Sequence, residues 1–190
     1  DCIFKFLENQ DIKNLAIIQH KRPSTEKLNG IVGELNSDIS KEFITFPEGS
    51  NIEQILKSHL KYEERRELLD KEIENIKNSE LDEENKELEI KKLSVLETFG
   101  PVPFDAIIIN ETGNRLLEIM SILAYYDINS TNTNIIGTSI WDGFENYKEN
   151  IFEGTFFVSS KSRKKDDYDL VYLKNFKTQP NNLNYLTNDI

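Results

Sequence analysis

The segment from Phe99 to Ser159 constrains the fold more than any other part of this 190-residue chain. It runs through Phe104-Asp105-Ala106-Ile107-Ile108-Ile109-Asn110, a Gly113-Asn114 start, and Leu116, Leu117, Met120 and Leu123 at helical spacing. Asn134-Ile135-Ile136-Gly137-Thr138 and Gly154-Thr155-Phe156-Phe157-Val158 follow. The apolar runs are short and nearly unbroken, which fits strands buried on both faces. Strand, helix and strand in that order point to a parallel sheet with helices on both sides. The polar side chains gather at the strand ends, where open sheets of this kind bind ligands. No catalytic constellation is visible there, so binding is the first hypothesis and catalysis has to be argued for.

Upstream, residues 2–10 read as a helix with Ile3, Phe4, Phe6 and Leu7 apolar, and Asn14-Leu15-Ala16-Ile17-Ile18-Gln19 reads as a doubly buried strand. Ser24 to about Asn36 has helical apolar spacing at Leu28, Ile31, Val32 and Leu35, although Gly30 and Gly33 weaken it. Glu42–Phe46 is a second strand, closed by Pro47-Glu48-Gly49, and a last helix is expected over Asp167 to Lys177. The expected fold is α/β: an open, doubly wound parallel sheet of about five strands, flavodoxin-like in order.

Between the second and third strands the composition changes. From Lys61 to Lys92, 20 of 32 residues are charged, with neither Gly nor Pro, so the stretch reads as solvated helix. Leu69, Ile73 and Ile76 form one thin apolar line, and Leu81, Leu88 and Val95 form another at spacings of seven, with Leu93 and Leu96 beside the last of them. Opposite charges four apart, Glu67/Lys71, Asp82/Lys86 and Glu87/Lys91, support exposed helix. The two lines lose phase across residues 77–81, which predicts an antiparallel hairpin over 51–98 turning near Ser79, rather than one continuous rod. It reads either as a solvated appendage or as a partner-docking arm. On both readings, removing residues 61–92 should leave the sheet folded.

Composition and motifs exclude several classes. A net charge of −11 with no basic stripe argues against nucleic acid, and Lys161-Ser162-Arg163-Lys164-Lys165 is followed at once by Asp166-Asp167, as in a solvated loop. No apolar run approaches the ~18 residues of a membrane span. The lone Cys2 cannot form an internal disulfide, and a chain opening on Asp1 with Met120 as its only methionine is expected to be a processed protein or a piece of a longer one. Neither G-x-G-x-x-G nor G-x-x-x-x-G-K-[ST] is present, Ser139 and Ser159 lie outside any G-x-S-x-G, and His20 and His59 lack partners at ligand spacing. No cofactor, metal or catalytic residue is therefore expected.

The candidate binding residues are those at the strand ends. Glu111 and Asp142 both follow strands, and a role as hydrogen-bonding groups of a cleft is favoured over an acid–base pair. Thr138 and Ser139 supply hydroxyls. Trp141, the single tryptophan, either packs the strand end against the next helix or walls a ligand site. Thr112-Gly113-Asn114 opens a helix, where backbone N–H groups either meet an anionic group or are capped locally.

PFDAIIINETGNRLLEIMSILAYYDI, NIIGTSIWD and EGTFFVSS together resemble the leucine-binding type of periplasmic binding protein. More narrowly they resemble its penicillin-binding-protein activator (LppC-like) branch, in which a charged helical stretch precedes a G-x-x-PFDA strand, as Leu93 to Ala106 does here. PNNLNYLTNDI is similar to that branch's closing segment, while residues 1–50 match only in strand and helix order. The resemblance implies that residues 1–190 form the second lobe of a two-lobed binding protein, with the hairpin inserted in it. It implies ligand contacts from the loops His20–Pro23, Glu111–Gly113 and Thr138–Asp142. His20-Lys21-Arg22-Pro23 departs from the tyrosine-glycine pair frequent in amino-acid binders. The implied location is the periplasm, with a lipid anchor in another part of the parent protein. The implied partners are the parent's first lobe, a peptidoglycan synthase or an ABC permease, and a small polar ligand such as an amino acid. The function expected is regulation of peptidoglycan synthases by protein contact, or that of a degenerate solute binder, with amino-acid capture for an ABC importer as the alternative.

Overall fold

A strand paired in parallel on both sides has two faces to cover, and the apolar residues of this chain are placed to cover them. The computed structural model describes residues 10–22, 25–34, 38–142 and 149–158, together with Ile3, Leu7, residues 172–174 and Lys177. Most of the helices expected at 2–10 and 167–177, the basic run at 161–165 and the closing segment lie outside the described residues.

In chain order the elements are β1 (Asn14–His20), α1 (Thr25–Gly33), β2 (Ser40–Phe46), α2 (Ile52–His59), α3 (Tyr62–Lys77) and α4 (Glu83–Leu93). Then come β3 (Ala106–Asn110), α5 (Gly113–Tyr125), β4 (Asn134–Gly137) and β5 (Phe156–Phe157), with 3₁₀ turns at Ser139–Trp141 and Asn150–Phe152. The sheet order is β2-β1-β3-β4-β5, and every pair is parallel. This is the doubly wound topology expected, with its switch point between β1 and β3.

Alternation along the strands sorts the core into two layers. Ala16, Ile18, Ile44, Phe46, Ile107, Ile109 and Ile135 face α2 and α5, meeting Leu56, Leu116, Ile119, Met120 and Leu123. Leu15, Ile17, Ala106, Ile108 and Ile136 face the other way, against Val32 of α1 and against Leu7, Ile12 and Ile39. Each fully buried Leu or Ile contributes ~1.5–3 kcal/mol relative to exposure. β5 is shorter than the five residues expected. Gly154 adopts φ +73° and the Thr155 N–H donates to the Phe152 carbonyl, so the chain is still turning where the strand was predicted to begin.

Trp141 is 2% exposed and belongs to the first core layer. Its ring lies on the backbone of Gly137 and meets Phe152 edge-on at 5.7 Å. A Cβ at Gly137 would fall 2.1 Å from Trp141 Cδ2, so only glycine admits the indole here.

The charged segment folds back on itself. α3 ends at Lys77, the Ser79 hydroxyl donates to the Ile76 carbonyl, and Asp82 caps α4 by accepting the Asn85 N–H at 3.0 Å. Asp82 is therefore occupied as a helix cap, and Lys86 pairs with Glu83 at 3.2 Å. The returning chain reaches the start of α3, where the Phe99 N–H donates to the Arg65 carbonyl. The apolar line read from spacings of seven is not the packed one: Leu81, Leu88 and Val95 are 46%, 51% and 80% exposed. Ile73 and Ile76 of α3 and Ile90 and Leu93 of α4 are half-buried instead.

The base of this hairpin is built into the core. Leu69 and Arg65 are both buried. Arg65 donates to the Tyr126 carbonyl at 2.8 Å, and the Thr98 hydroxyl donates to the same oxygen at 2.7 Å. The Asp127 carboxylate accepts the Glu97 and Thr98 N–H groups at 2.8 and 2.7 Å. Burial pushes the Arg65 pKa below its ordinary value, against the opposing pull of Asp127. The Tyr62 and Tyr126 rings lie 4.8 Å apart, and the Tyr62 hydroxyl binds Glu97. Only the distal part of the hairpin is an appendage, which revises the expectation that residues 61–92 can all be removed.

Replacing residues 72–90 by a short Gly-Ser link should therefore preserve one cooperative unfolding transition. Deleting 61–92, which takes Tyr62, Arg65 and Leu69 with it, should cost more than about 3 kcal/mol or abolish cooperativity. Gly137→Ala should destabilise by ~1–3 kcal/mol in denaturant titration through overpacking against Trp141.

Candidate ligand-binding groove

The carboxyl ends of β1, β3 and β4 converge on one rim, and what they carry follows from strand periodicity. Gln19 and Asn110 are paired in register on neighbouring strands, beyond the apolar positions Ile17 and Ile108 of the same face. The Thr138 hydroxyl, just past β4, donates to Asn110 Oδ1 at 2.9 Å. The apolar layer thus ends in a polar row of Gln19, Asn110 and Thr138. Gln19 is fully buried, gives its Nε2 to Asn29 of α1 at 2.6 Å, and keeps its Oε1 unpaired among the described residues.

Glu111 follows this row and is 2% exposed. Its Oε1 accepts the His20 N–H at 2.6 Å and its Oε2 meets the Arg22 guanidinium at 3.4 Å. The acid fastens the end of β1 to the end of β3 through one partner on each oxygen. The His20 ring packs edge-on against Phe46 at 5.5 Å. Arg22 itself sits in a turn whose carbonyl accepts the Thr25 hydroxyl and N–H at 2.6 and 3.0 Å, leaving its side chain 53% exposed.

Between these parts runs a groove of about 320 Å³. Arg22, Thr25 and Leu28 line one side, and Asn110, Glu111 and Thr138–Ile140 line the other. It lies over the β1/β3 switch point, where open α/β sheets place ligands. Glu111, Thr138 and Ser139 of the sequence-derived set are brought together here. Trp141 takes the packing role described above and does not line the groove. Asp142 is half-buried beyond the 3₁₀ turn, with its N–H donating to the Ser139 carbonyl at 3.1 Å. Thr112 precedes α5 without a side-chain cap bond, and Gly113 supplies the φ of +61° that the helix start requires. Thr25, Leu28 and Asn110 were not singled out from the sequence. A strand-terminal amide such as Asn110 was the available signal, whereas the approach of α1 to the rim has no local signature.

Among the described residues no three His, Cys, Asp or Glu side chains gather as a metal would need, and no helix is long and apolar enough to cross a membrane. Among the described residues, Arg22 is the one accessible charged side chain lining the groove. Among the described residues the groove brings hydrogen-bonding groups and one exposed guanidinium together.

No family model matches the chain, and no curated protein sequence does. Among solved structures it is similar to a branched chain amino acid ABC transporter periplasmic ligand-binding protein from Burkholderia xenovorans LB400. The TM-score is 0.56 at 12% identity, over 96% of this chain and 41% of that one. At that identity the likeness is one of fold, and that neighbour is a binding protein rather than an enzyme. This chain thus spans less than half of that protein's length, and its five-stranded parallel α/β fold matches a periplasmic binding protein-like lobe.

Proposed function

We propose that the chain works by binding and not by catalysis, as one lobe of a two-lobed periplasmic protein whose other lobe closes over the rim groove. The observation that carries this reading is the position of the groove at the β1/β3 switch point, where open α/β sheets place ligands. The fold likeness supports it, since 96% of this chain corresponds to only 41% of a periplasmic ligand-binding protein. An enzyme using Glu111 and Asp142 is disfavoured, because Glu111 is buried with both oxygens engaged.

Within that class we favour an envelope lipoprotein resembling the penicillin-binding-protein activators, acting on peptidoglycan synthases by protein contact. Two features support it. The rim acid that could meet an amino acid's ammonium is committed to His20 and Arg22, and the hairpin exposes Leu81, Leu88 and Val95 at its surface. The second reading, the ligand-binding lobe of an amino-acid importer served by an ABC permease, is supported by the described role of the structural neighbour. Calorimetry of the natural two-lobed polypeptide with a panel of free amino acids separates them. The regulator reading predicts no saturable heat, and a Kd of about micromolar, which corresponds to ~8 kcal/mol, assigns the receptor.

A further inference from the structure

We propose that the rim groove takes the carboxylate of a ligand that carries no free ammonium beside it, as in an N-acylated amino acid or the C-terminus of a short peptide, and that Arg22 is the contact. This rests on the reading of the groove as a ligand site and adds the polarity of that site. Four observations carry it.

Among the described residues the groove has two charged residues on its walls, and they differ in access: Glu111 is 2% exposed and the Arg22 side chain is 53% exposed. Both Glu111 oxygens are engaged, Oε1 by the His20 N–H and Oε2 by Arg22. An ammonium entering the groove would meet the guanidinium, a like-charge contact with no accessible carboxylate among the described lining residues to offset it. The neutral groups also offer donors. Asn110 Oδ1 accepts the Thr138 hydroxyl, and the Asn110 NH₂ makes no hydrogen bond among the described residues. The Ser139 hydroxyl is exposed and makes no hydrogen bond among the described residues.

Arg22 spends one N–H on Glu111 at 3.4 Å, a long contact, and keeps the rest of its planar fork for a carboxylate, whose geometry it matches with two parallel bonds. The Arg22 carbonyl accepts both the hydroxyl and the N–H of Thr25, which ties its backbone to the start of α1. The net charge of −11 opposes anions at long range. Salt screens that field beyond roughly 8–10 Å, so the contact is decided by Arg22.

The test is an amide-detected NMR titration of the ¹⁵N-labelled 190-residue chain at constant ionic strength, with N-acetylalanine, alanylalanine, alanine and alaninamide as probes. N-acetylalanine should shift the Asn110 side-chain amide and the Ser139 and Ile140 backbone amides to saturation. Neither alaninamide nor alanine should give a saturable shift. Arg22→Gln should weaken N-acetylalanine by roughly tenfold, while Arg22→Lys retains part of the affinity. Alanylalanine binding as tightly as N-acetylalanine points to a peptide terminus as the source, and weaker binding points to an N-acyl amino acid; either supports the proposal. Tighter binding of alaninamide, or an unchanged affinity in a folded Arg22→Gln protein, overturns the polarity while leaving the groove as a ligand site. Absence of saturation with every probe overturns both this proposal and the reading of the groove beneath it.

Discussion

Two carboxylates carried by the β3 segment hold β1 at its two ends. Asp105, just before β3, accepts the Lys13 and Asn14 N–H groups at 2.9 and 2.8 Å, and Glu111, just after it, accepts the His20 N–H at 2.6 Å. Charge-assisted bonds of this kind are roughly twice as strong as neutral ones. They act where the β1–β3 ladder stops and backbone donors would otherwise seek water. Between them the strands are in register from Leu15 with Ala106 to Gln19 with Asn110. The switch point of the sheet, and therefore the groove above it, inherits its geometry from this pair of clamps. A carboxylate at the rim of a sheet is easily read as a ligand contact; here its first duty is to the backbone of the neighbouring strand.

One helix connects the two surfaces on which a function would draw. α5 starts at Gly113, beside the rim, and ends at Tyr125, directly before the Tyr126 carbonyl that receives both Arg65 and Thr98. Thirteen residues of helix span ~20 Å, so the groove and the hairpin base are anchored to opposite ends of one element. Leu116, Ile119, Met120 and Leu123 bury its face against the sheet, which ties both ends to a single packed body.

Strand content was legible because doubly buried strands leave short unbroken apolar runs: Leu15–Ile18 and Ala106–Ile109 could scarcely sit anywhere else. Their polar ends were legible for the same reason, which is how Glu111, Thr138 and Ser139 came to be singled out. What escaped depended on three-dimensional choices that spacing leaves open. Leu81, Leu88 and Val95 share a period but turn outward, because Ile90 and Leu93 offer the competing face that meets α3. Arg65 looks like one more charge of a solvated helix, yet it is buried because the Tyr126 carbonyl lies within its reach. Trp141 could have packed or lined a cleft, and the missing side chain at Gly137 decides for packing. The role proposed for Arg22 depends on Glu111 being engaged, a fact of distance and burial that no local pattern encodes.

The central claim is that this rim is half of a cleft completed by another lobe. Hydrogen exchange compared between the 190-residue chain and its natural full-length polypeptide tests it most directly. The account predicts added protection, deepened by ligand, at the backbone amides of residues 20–22, 111–113 and 138–140, with the distal hairpin unchanged. Equal exchange at the rim in both proteins, with or without ligand, would contradict it.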